Sequence, residues 1–349
     1  MVTANKLRIG ILGASGYTGA ELLRLLARHP GVEVRLLTAD RQAGKPLSDI
    51  FPHLGTLELP VPVKIEAADW SGIDLLFCCL PHGTTQEVIA GLPRELRVVD
   101  LSADFRLADI ESYAQWYGHA HRAPELQKEA VYGLTELARA AVAGARLVAN
   151  PGCYPTSAQL PLVPLLESGE ISADDIIIDA KSGVSGAGRD AKQANLYAEV
   201  TEGIHAYGIA SHRHAPEIEQ GLSQAAGRTV TVNFTPHLMP MSRGILASIY
   251  VRLANGSTAD SLRATLVRKY AGEAFVRVLP AGQAPATRHV RGSNHCLIGV
   301  FADRVPGRAI LMSAIDNLVK GAAGQAVQNM NLMAGWAETT ALEQQPLFP

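Results

Sequence analysis

In the first 150 residues, short apolar runs alternate with longer segments whose apolar residues recur at helical spacing. The short runs predict strands at residues 8–12, 32–37, 74–80, 97–101 and 146–149. Leucines at positions 22, 23, 25 and 26 give one apolar face to a helix that ends before Pro30 and Gly31. Strands alternating with helices are typical of a parallel sheet with right-handed crossovers, so this part of the chain predicts a doubly wound α/β domain.

After residue 150 the pattern changes, because strand-like runs follow one another with fewer helical segments between them. These runs lie at residues 176–181, 230–235, 245–252, 297–302 and 309–313, and one helix is predicted at 259–270. Such an order favours a mostly antiparallel or mixed sheet, and hence an α+β domain. Such a sheet is suited to a dimer contact, and we expect this domain to serve substrate binding and dimerisation. An amphipathic run at 316–332 predicts a last helix that returns to the first domain. The predicted division is therefore 1–150, 151–315 and 316–349.

A glycine-rich turn separates the first predicted strand from the first predicted helix. Glycines stand at positions 10, 13, 16 and 19, in the order strand, glycine turn, helix and strand. Glycines in such a turn let the backbone approach a pyrophosphate, whose charge then lies at the helix N-terminus. The order predicts a dinucleotide site of the Rossmann type that includes Gly13, Ala14, Ser15, Gly16, Tyr17 and Thr18.

Two adjacent charges at the end of the second predicted strand bear on the choice of dinucleotide. Asp40 is suited to a ribose hydroxyl of NAD, whereas Arg41 is suited to the 2′-phosphate of NADP. We favour Arg41 as a phosphate ligand, although both residues also fit a solvated loop.

One cysteine stands where a predicted strand meets a predicted helix, in the segment Asn150-Pro151-Gly152-Cys153-Tyr154-Pro155-Thr156. A proline is tolerated in the first helical turn because the N–H group that it lacks has no partner there. The positive end of a helix dipole favours a thiolate, which is the reactive form of cysteine. A buried core cysteine would need no Pro-Gly corner, so we interpret Cys153 as a nucleophile.

Other polar groups supply candidate partners for this thiol. His212 and His214 precede a predicted helix, and in an extended segment they would lie on one face. They resemble half of a metal site, but no further ligand set completes a signature, so we expect acid/base chemistry and no metal. The similar pair His119 and His121 is expected at the surface, and Cys296 in the core.

Two loops follow the ends of predicted strands, where ligands gather in open α/β sheets. In the first, Ser102 and Arg106 are candidates for binding a phosphate, with an ion pair between Arg106 and Asp104 as the alternative. The second loop, Lys181 to Arg189, is rich in glycine and serine and is interpreted as backbone closely approached by a ligand, with Ser182 and Gly183 as candidates.

The composition is that of a globular protein: of 349 residues, 47% are hydrophobic and 18% charged, with a net charge of -2. It shows no basic region suited to nucleic acid and no run long enough to span a bilayer. Four cysteines are too few for a disulfide framework in a chain of this length, so we expect a cytoplasmic protein.

Segments along nearly the whole chain resemble the N-acetyl-γ-glutamyl-phosphate reductase family in its longer form, which is related to the aspartate-semialdehyde dehydrogenases. The resemblance rests on the motifs at 13–19, 100–106, 132–134, 150–156, 181–189, 212–214 and 316–329. One departure is Ala39, where members of the family often have serine.

The resemblance implies a homodimer or homotetramer that reduces N-acetyl-γ-glutamyl phosphate with NADPH, through a thioester, in arginine biosynthesis. It implies that Cys153 is the nucleophile and His214 the acid/base. It further implies substrate contacts from Ser102, Arg106, Tyr207 and His212, and cofactor contacts from Arg41, Pro81, Ser182, Gly183 and Asn317.

Two alternatives remain at this point. One is a related acyl-phosphate reductase acting on an aspartyl or aminoadipyl substrate. The other is a non-catalytic NADP-sensing module built on the same fold.

Overall fold

The structure is a computed structural model that describes residues 6–349. Within these residues the strands are β1 Leu7–Leu12, β2 Val32–Leu37, β3 Leu75–Cys78, β4 Arg97–Asp100, β5 Val131–Tyr132, β6 Leu147–Ala149, β7 Ile176–Gly183, β8 His205–Ala206, β9 Val232–Met239, β10 Ile245–Arg252, β11 Val276–Val278, β12 Cys296–Ala302 and β13 Arg308–Ile315. The helices are α1 Tyr17–Leu26, α2 Leu47–Ile50, α3 Thr85–Ala90, α4 Ile110–Tyr117, α5 Pro124–Gln127, α6 Thr135–Ala143, α7 Cys153–Glu167, α8 Tyr197–Val200, α9 Ala215–Ala226, α10 Ala259–Lys269 and α11 Gly324–Met333.

The described residues form two compact units. The first comprises residues 6–151 together with Ala322–Glu343, and the second comprises Gly152–Gly321 and Gln344–Pro349. We call them unit 1 and unit 2.

Unit 1 is built on a six-stranded sheet in the order β2-β1-β3-β4-β6-β5, in which every neighbouring pair is parallel. Strand β3 is buried along its whole length, as expected for a strand covered on both faces. The sheet confirms the predicted doubly wound α/β architecture. Strand order reverses between β1 and β3, and ligands of such sheets bind beyond the carboxyl ends of the strands at that point.

The last helix of unit 1 differs from its prediction. Instead of one helix over 316–332, the chain forms a π-helical turn, Val319–Ala323, followed by α11. The side chain of Asp316 accepts hydrogen bonds from the N–H groups of Leu318 and Val319, at 2.8 and 3.2 Å, and this prevents a regular start. Within unit 1, α11 packs against α1 and α6.

Unit 2 contains a seven-stranded sheet in the order β11-β12-β13-β10-β7-β9-β8. Two pairs, β7 with β9 and β11 with β12, are parallel and the others antiparallel, which confirms the predicted mixed sheet. The strand predicted at 230–235 runs instead to Met239, through Pro236. A proline is tolerated there because β9 has only the two-residue strand β8 on its outer side, and the Pro236 carbonyl accepts the Tyr207 N–H at 3.1 Å.

Helix α7 is the central helix of unit 2. Its residues from Tyr154 to Leu166 are all buried, and it packs against α9, α10, β10 and β13. A helix that is apolar on every side is expected in the interior of a domain. The start of α7 is therefore fixed by packing on several sides.

None of the described helices is both long enough and apolar enough to cross a membrane.

Candidate functional site

Cys153 is the first residue of α7, as predicted from the Pro-Gly corner. The preceding Gly152 is extended, with φ -68° and ψ 155°, and its carbonyl accepts the N–H of Thr156 at 2.9 Å. The Cys153 side chain is half-buried, and no acidic residue lies in the first turn of α7. A thiol at this position lies in the positive field of the helix dipole.

A buried carboxylate from a second helix holds this corner. Glu217, in the first turn of α9, is 1% exposed and accepts the N–H of Gly152 at 2.8 Å. The Glu217 carbonyl in turn accepts the side-chain amide of Gln159, which lies in α7, at 3.0 Å. Two bonds therefore connect the start of α9 to the helix that carries Cys153.

His212 and His214 are neighbours, but the expected extended segment was wrong. The segment is a turn, in which the His214 N–H donates to Nδ1 of His212 at 3.0 Å and His214 stands immediately before α9 in a helical conformation. The two ring centroids are 4.8 Å apart. Burial, and then the charge of Arg213, lower the pKa of His212 from about 6.5 to about 4.

Aromatic rings connect these histidines to the start of α7. The Tyr154 ring lies 5.6 Å from the His212 ring and 5.9 Å from the His214 ring, centroid to centroid. The Tyr207 hydroxyl donates to the Tyr154 hydroxyl at 3.1 Å, and that of Tyr154 donates to the His237 carbonyl at 3.3 Å. Burial raises the pKa of both tyrosines, and the Cys153 charge raises them further, so both hydroxyls remain protonated donors.

Three predicted cofactor contacts meet in another part of unit 2. The Asn317 side chain is 2% exposed, accepts the Gly244 N–H at 2.7 Å and donates to the Ser185 hydroxyl at 2.9 Å. Ser182 is buried, and its hydroxyl donates to the Gly183 carbonyl at 3.0 Å. At Gly183 a Cβ atom would lie 2.7 Å from the backbone nitrogen of Arg243, so close backbone approach is required here.

The backbone of Gly321 packs closely against Cys153. A Cβ atom at this position would lie 2.7 Å from Cβ of Cys153 and 3.2 Å from its Cα. The Gly321 N–H donates to the Asp316 carbonyl at 2.9 Å, and this bond helps to fix the position of the Gly321 backbone.

In unit 1 the glycine turn has the geometry that a dinucleotide requires. Gly13 has φ +75°, and a Cβ atom there would lie 2.6 Å from the Cys79 carbonyl oxygen. At Gly16, directly before α1, a Cβ atom would lie 3.7 Å from the Gly13 carbonyl oxygen, in ordinary van der Waals contact. The first turn of α1 has no acidic residue and its N-cap makes no side-chain bond. These residues fit a pyrophosphate.

The other predicted contacts of unit 1 lie near the carboxyl ends of its strands. Asp40 and Arg41 are exposed a few residues after β2, and Pro81 is exposed after β3. The exposed Arg41 side chain is accessible to a phosphate.

Ser102 and Arg106 are buried and bonded to their own chain. Nε and Nη2 of Arg106 donate to the carbonyls of Asn150 and Leu101, at 2.8 and 2.9 Å. The Ser102 hydroxyl donates to Asp100 at 2.8 Å, and burial raises the pKa of that carboxyl to about 7. Arg106 thus holds the peptide before Pro151, and its role toward phosphate stays a prediction.

His121 corrects the expectation that it lies at the surface. It is 8% exposed, its Nε2 lies 3.0 Å from the Asp104 carbonyl oxygen, and its Nδ1 accepts the Ala123 N–H at 3.1 Å. Cys296 is fully buried, which confirms its predicted place in the core.

Glu217, Tyr154 and Gly321 were missed by the sequence interpretation, although each lies in or beside a motif that it used. In residues 6–349, no group of three or more His, Cys, Asp or Glu side chains is placed to hold a metal ion.

Comparison with protein families accounts for both units. Residues 8–145 match the family model described as "Semialdehyde dehydrogenase, NAD binding domain", and residues 153–317 match "Semialdehyde dehydrogenase, dimerisation domain". The fold also resembles a solved aspartate semialdehyde dehydrogenase II from Vibrio cholerae, with a TM-score of 0.71 at 18% identity over 95% of this chain and 99% of that one.

Among curated relatives, an N-acetyl-gamma-glutamyl-phosphate reductase from Rhodospirillum rubrum is 66% identical over 99% of this chain and 100% of its own length. A rice protein, "Probable N-acetyl-gamma-glutamyl-phosphate reductase, chloroplastic", is 62% identical over 99% of this chain and 84% of its own length. The chain therefore belongs to the semialdehyde dehydrogenase family and, within it, to the N-acetyl-gamma-glutamyl-phosphate reductases.

Proposed function

We propose that this chain reduces N-acetyl-γ-glutamyl phosphate to N-acetyl-L-glutamate 5-semialdehyde with NADPH, as a step of arginine biosynthesis. The observation that carries the proposal is the link between the two proposed catalytic residues. Cys153 begins α7, His214 directly precedes α9, and Glu217 of α9 bonds to Gly152 at 2.8 Å. Reduction of an acyl phosphate through a covalent thioester uses a thiol and a proton donor.

Cys153 is the nucleophile in the first half of the reaction. Its Sγ attacks the acyl carbonyl carbon, the C–O bond to phosphate breaks, and phosphate leaves with the bonding electrons. The product of this half is a thioester on Cys153. The positive field at the start of α7 stabilises the thiolate before the attack.

The second half needs a hydride and a proton. A reduced nicotinamide, when bound, would supply the hydride that reduction of a thioester requires. His214 donates a proton to the carbonyl oxygen and accepts it back when the thiohemiacetal collapses, the C–S bond breaks and the aldehyde leaves. General acid/base help of this kind contributes on the order of a hundredfold or more.

Residues of both units are assigned to the dinucleotide. In unit 1, Gly13 to Thr18 would hold the pyrophosphate at the start of α1, with Pro81 beside it and Arg41 at the 2′-phosphate. In unit 2, Ser182, Gly183 and Asn317 would contact the nicotinamide side.

Unit 2 also supports a homo-oligomer. Along β10 and β13, fully buried residues alternate with half-buried ones, as when one sheet face is covered and the other accessible. The half-buried set is largely apolar and includes Tyr250, Ile310 and Met312. We propose that a second copy covers this face in a homodimer, or in two such pairs in a tetramer, which sedimentation analysis would measure. None of the four cysteines, all within the described residues, forms a disulfide, in keeping with a cytoplasmic enzyme.

The test is the reverse reaction, in which NADP reduction is followed with N-acetylglutamate semialdehyde, with and without phosphate. Parallel assays use NAD in place of NADP and aspartate semialdehyde in place of the acetylated substrate. We expect phosphate-dependent turnover with NADP and the acetylated semialdehyde, and a raised KM for NADP but not for NAD in Arg41→Ala. Preferred turnover of aspartate semialdehyde, or no turnover of either aldehyde, would refute the proposal.

A further inference from the structure

His212 makes a bond that fixes which of its ring nitrogens carries a proton. Its Nδ1 accepts the backbone N–H of His214 at 3.0 Å. An accepting Nδ1 has no hydrogen, so the proton of the neutral ring is on Nε2. Protonating Nδ1 would set two N–H groups against each other and break this bond.

The ring of His212 is also held on several sides. Its centroid lies 5.3 Å from that of Tyr207 and 5.4 Å from that of Phe234, both edge to face. A Cβ atom at Gly208 would lie 3.2 Å from Cβ of His212, so the preceding turn packs directly on the residue. These contacts fix the orientation of the imidazole.

The backbone of His212 supports the same turn, because its carbonyl accepts the Ala215 N–H at 2.9 Å. The first N–H groups of a helix lack partners within the helix, and α9 has no side-chain cap from His214. His212 thus supplies acceptors to both residues at the start of α9 and fixes the backbone of His214 at φ -83° and ψ -12°.

The groups facing His212 leave it unsuited to titrate during turnover. They are Arg213, His214, Tyr154 and Tyr207, and none of them is an acid that would favour a charged imidazole. Burial lowers the pKa of His212 to about 4, so the ring is neutral near pH 7.

We propose that His212 is a positioning residue that, as a neutral Nε2–H imidazole, holds the His214 side chain in place for acid/base catalysis. The inference rests on the proposed function, since it assigns the proton transfer to His214 alone. The substrate contact expected of His212 from the family resemblance stays a prediction, because the bond to His214 uses only Nδ1.

Two variants separate the roles of the ring. His212→Phe keeps an aromatic ring but removes the acceptor, whereas His212→Asn restores an acceptor because asparagine oxygen readily bonds to the N–H two residues on. We expect kcat to fall at least about tenfold in His212→Phe with little change in the KM for NADP, and to recover largely in His212→Asn. The acid limb of the pH profile should be the same in His212→Asn and the wild type.

A matched control comes from His29, whose Nδ1 accepts the Gly31 N–H at 3.2 Å in the same spacing. His29→Phe removes the same kind of bond and is expected to lower stability without lowering kcat. If His212→Asn is as slow as His212→Phe, or if His212→Phe retains the wild-type kcat, the positioning role is refuted.

Nitrogen NMR of the wild-type protein labelled in histidine tests the tautomer without an activity assay. We expect His212 to show one protonated nitrogen, Nε2, from about pH 8 down to about pH 5. Protonation of Nδ1 in that range would overturn the inference even if His212→Phe fails to fold. A wild-type enzyme with the expected tautomer but no phosphate-dependent turnover would instead refute the proposed function.

Discussion

At the scale of single residues, the close packing beside Cys153 is as important for the proposed catalysis as the thiol itself. Gly321 lies so close that any side chain there would reach Cβ of Cys153 at 2.7 Å. Real Cβ contacts are not that short, so a substitution must move one of the two backbones. Misplacing a reacting atom by about 1 Å can cost on the order of a hundredfold in rate.

Gly321→Ala is therefore expected to lower kcat at least about tenfold, with a smaller change in the KM for NADP. The rate at which iodoacetamide alkylates Cys153 should fall with it. Gly144→Ala is the matched control, because no atom lies within 4 Å of a Cβ at that position. Equal kcat values for both variants would contradict the described packing.

The position of a single residue could be predicted well from the sequence where proline and glycine mark a corner beside it. Cys153 follows a Pro-Gly corner, and the structure confirms that α7 begins there. Arg106 is harder to interpret, because a buried guanidinium between two carbonyls and one that holds a phosphate follow a strand in the same way. The difference depends on which carbonyls the fold brings near, and sequence spacing does not contain that information.

At the scale of elements, the connection between α7 and α9 is the main feature of the site. Glu217 joins them through the Gly152 N–H at 2.8 Å. Removing the acceptor leaves a buried N–H without a partner, at a cost of about 1–3 kcal/mol. It also releases the start of α7 from the helix that His214 precedes.

We expect Glu217→Ala to lose about 1–3 kcal/mol of unfolding free energy and most of the wild-type kcat. Glu217→Gln keeps an acceptor oxygen, so it should retain most of the wild-type stability and most of the wild-type kcat. Glu219 offers a control on the same helix, since it accepts the Val232 N–H at 3.1 Å. Glu219→Ala should lose stability, measured by urea denaturation, but not kcat. A Glu217→Ala enzyme with full kcat would show that this link is not needed for catalysis.

Most regular elements could be predicted because one periodicity covers each of them. Strands β2 and β10 have the predicted bounds, and α10 ends one residue early. The two-residue strands β5 and β8 were missed because they are too short to show any alternation. The break between Asp316 and α11 was missed because it depends on a side chain that competes with helical hydrogen bonds.

At the scale of the whole molecule, the resemblance to a family and the architecture agree. A parallel sheet and a mixed sheet were both predicted from how strands and helices alternate.

The protonation of His212 makes the stability of the whole protein depend on pH. The pKa of its folded form is about 4, against about 6.5 for an ordinary histidine, so the unfolded chain binds a proton first as pH falls.

The contribution of His212 to stability is therefore complete above about pH 6.5 and is lost as pH falls toward about 4. We expect the difference in unfolding free energy between the wild type and His212→Asn to become less favourable to the wild type over that range. Urea denaturation at several pH values measures it, with the exposed His53→Asn as the control. A difference that does not depend on pH would contradict the lowered pKa of His212 in the folded protein.

The central claim is that Cys153 carries the acyl group, and intact-protein mass spectrometry tests it most directly. The enzyme is incubated with N-acetylglutamate semialdehyde and NADP while phosphate is withheld, so that the thioester forms but is not phosphorolysed. We predict one N-acetylglutamyl group per chain, located on the peptide that contains Cys153 and absent in Cys153→Ala, with NADPH formed in equal amount. An adduct on another residue, or phosphate-dependent turnover by Cys153→Ala, would contradict the account.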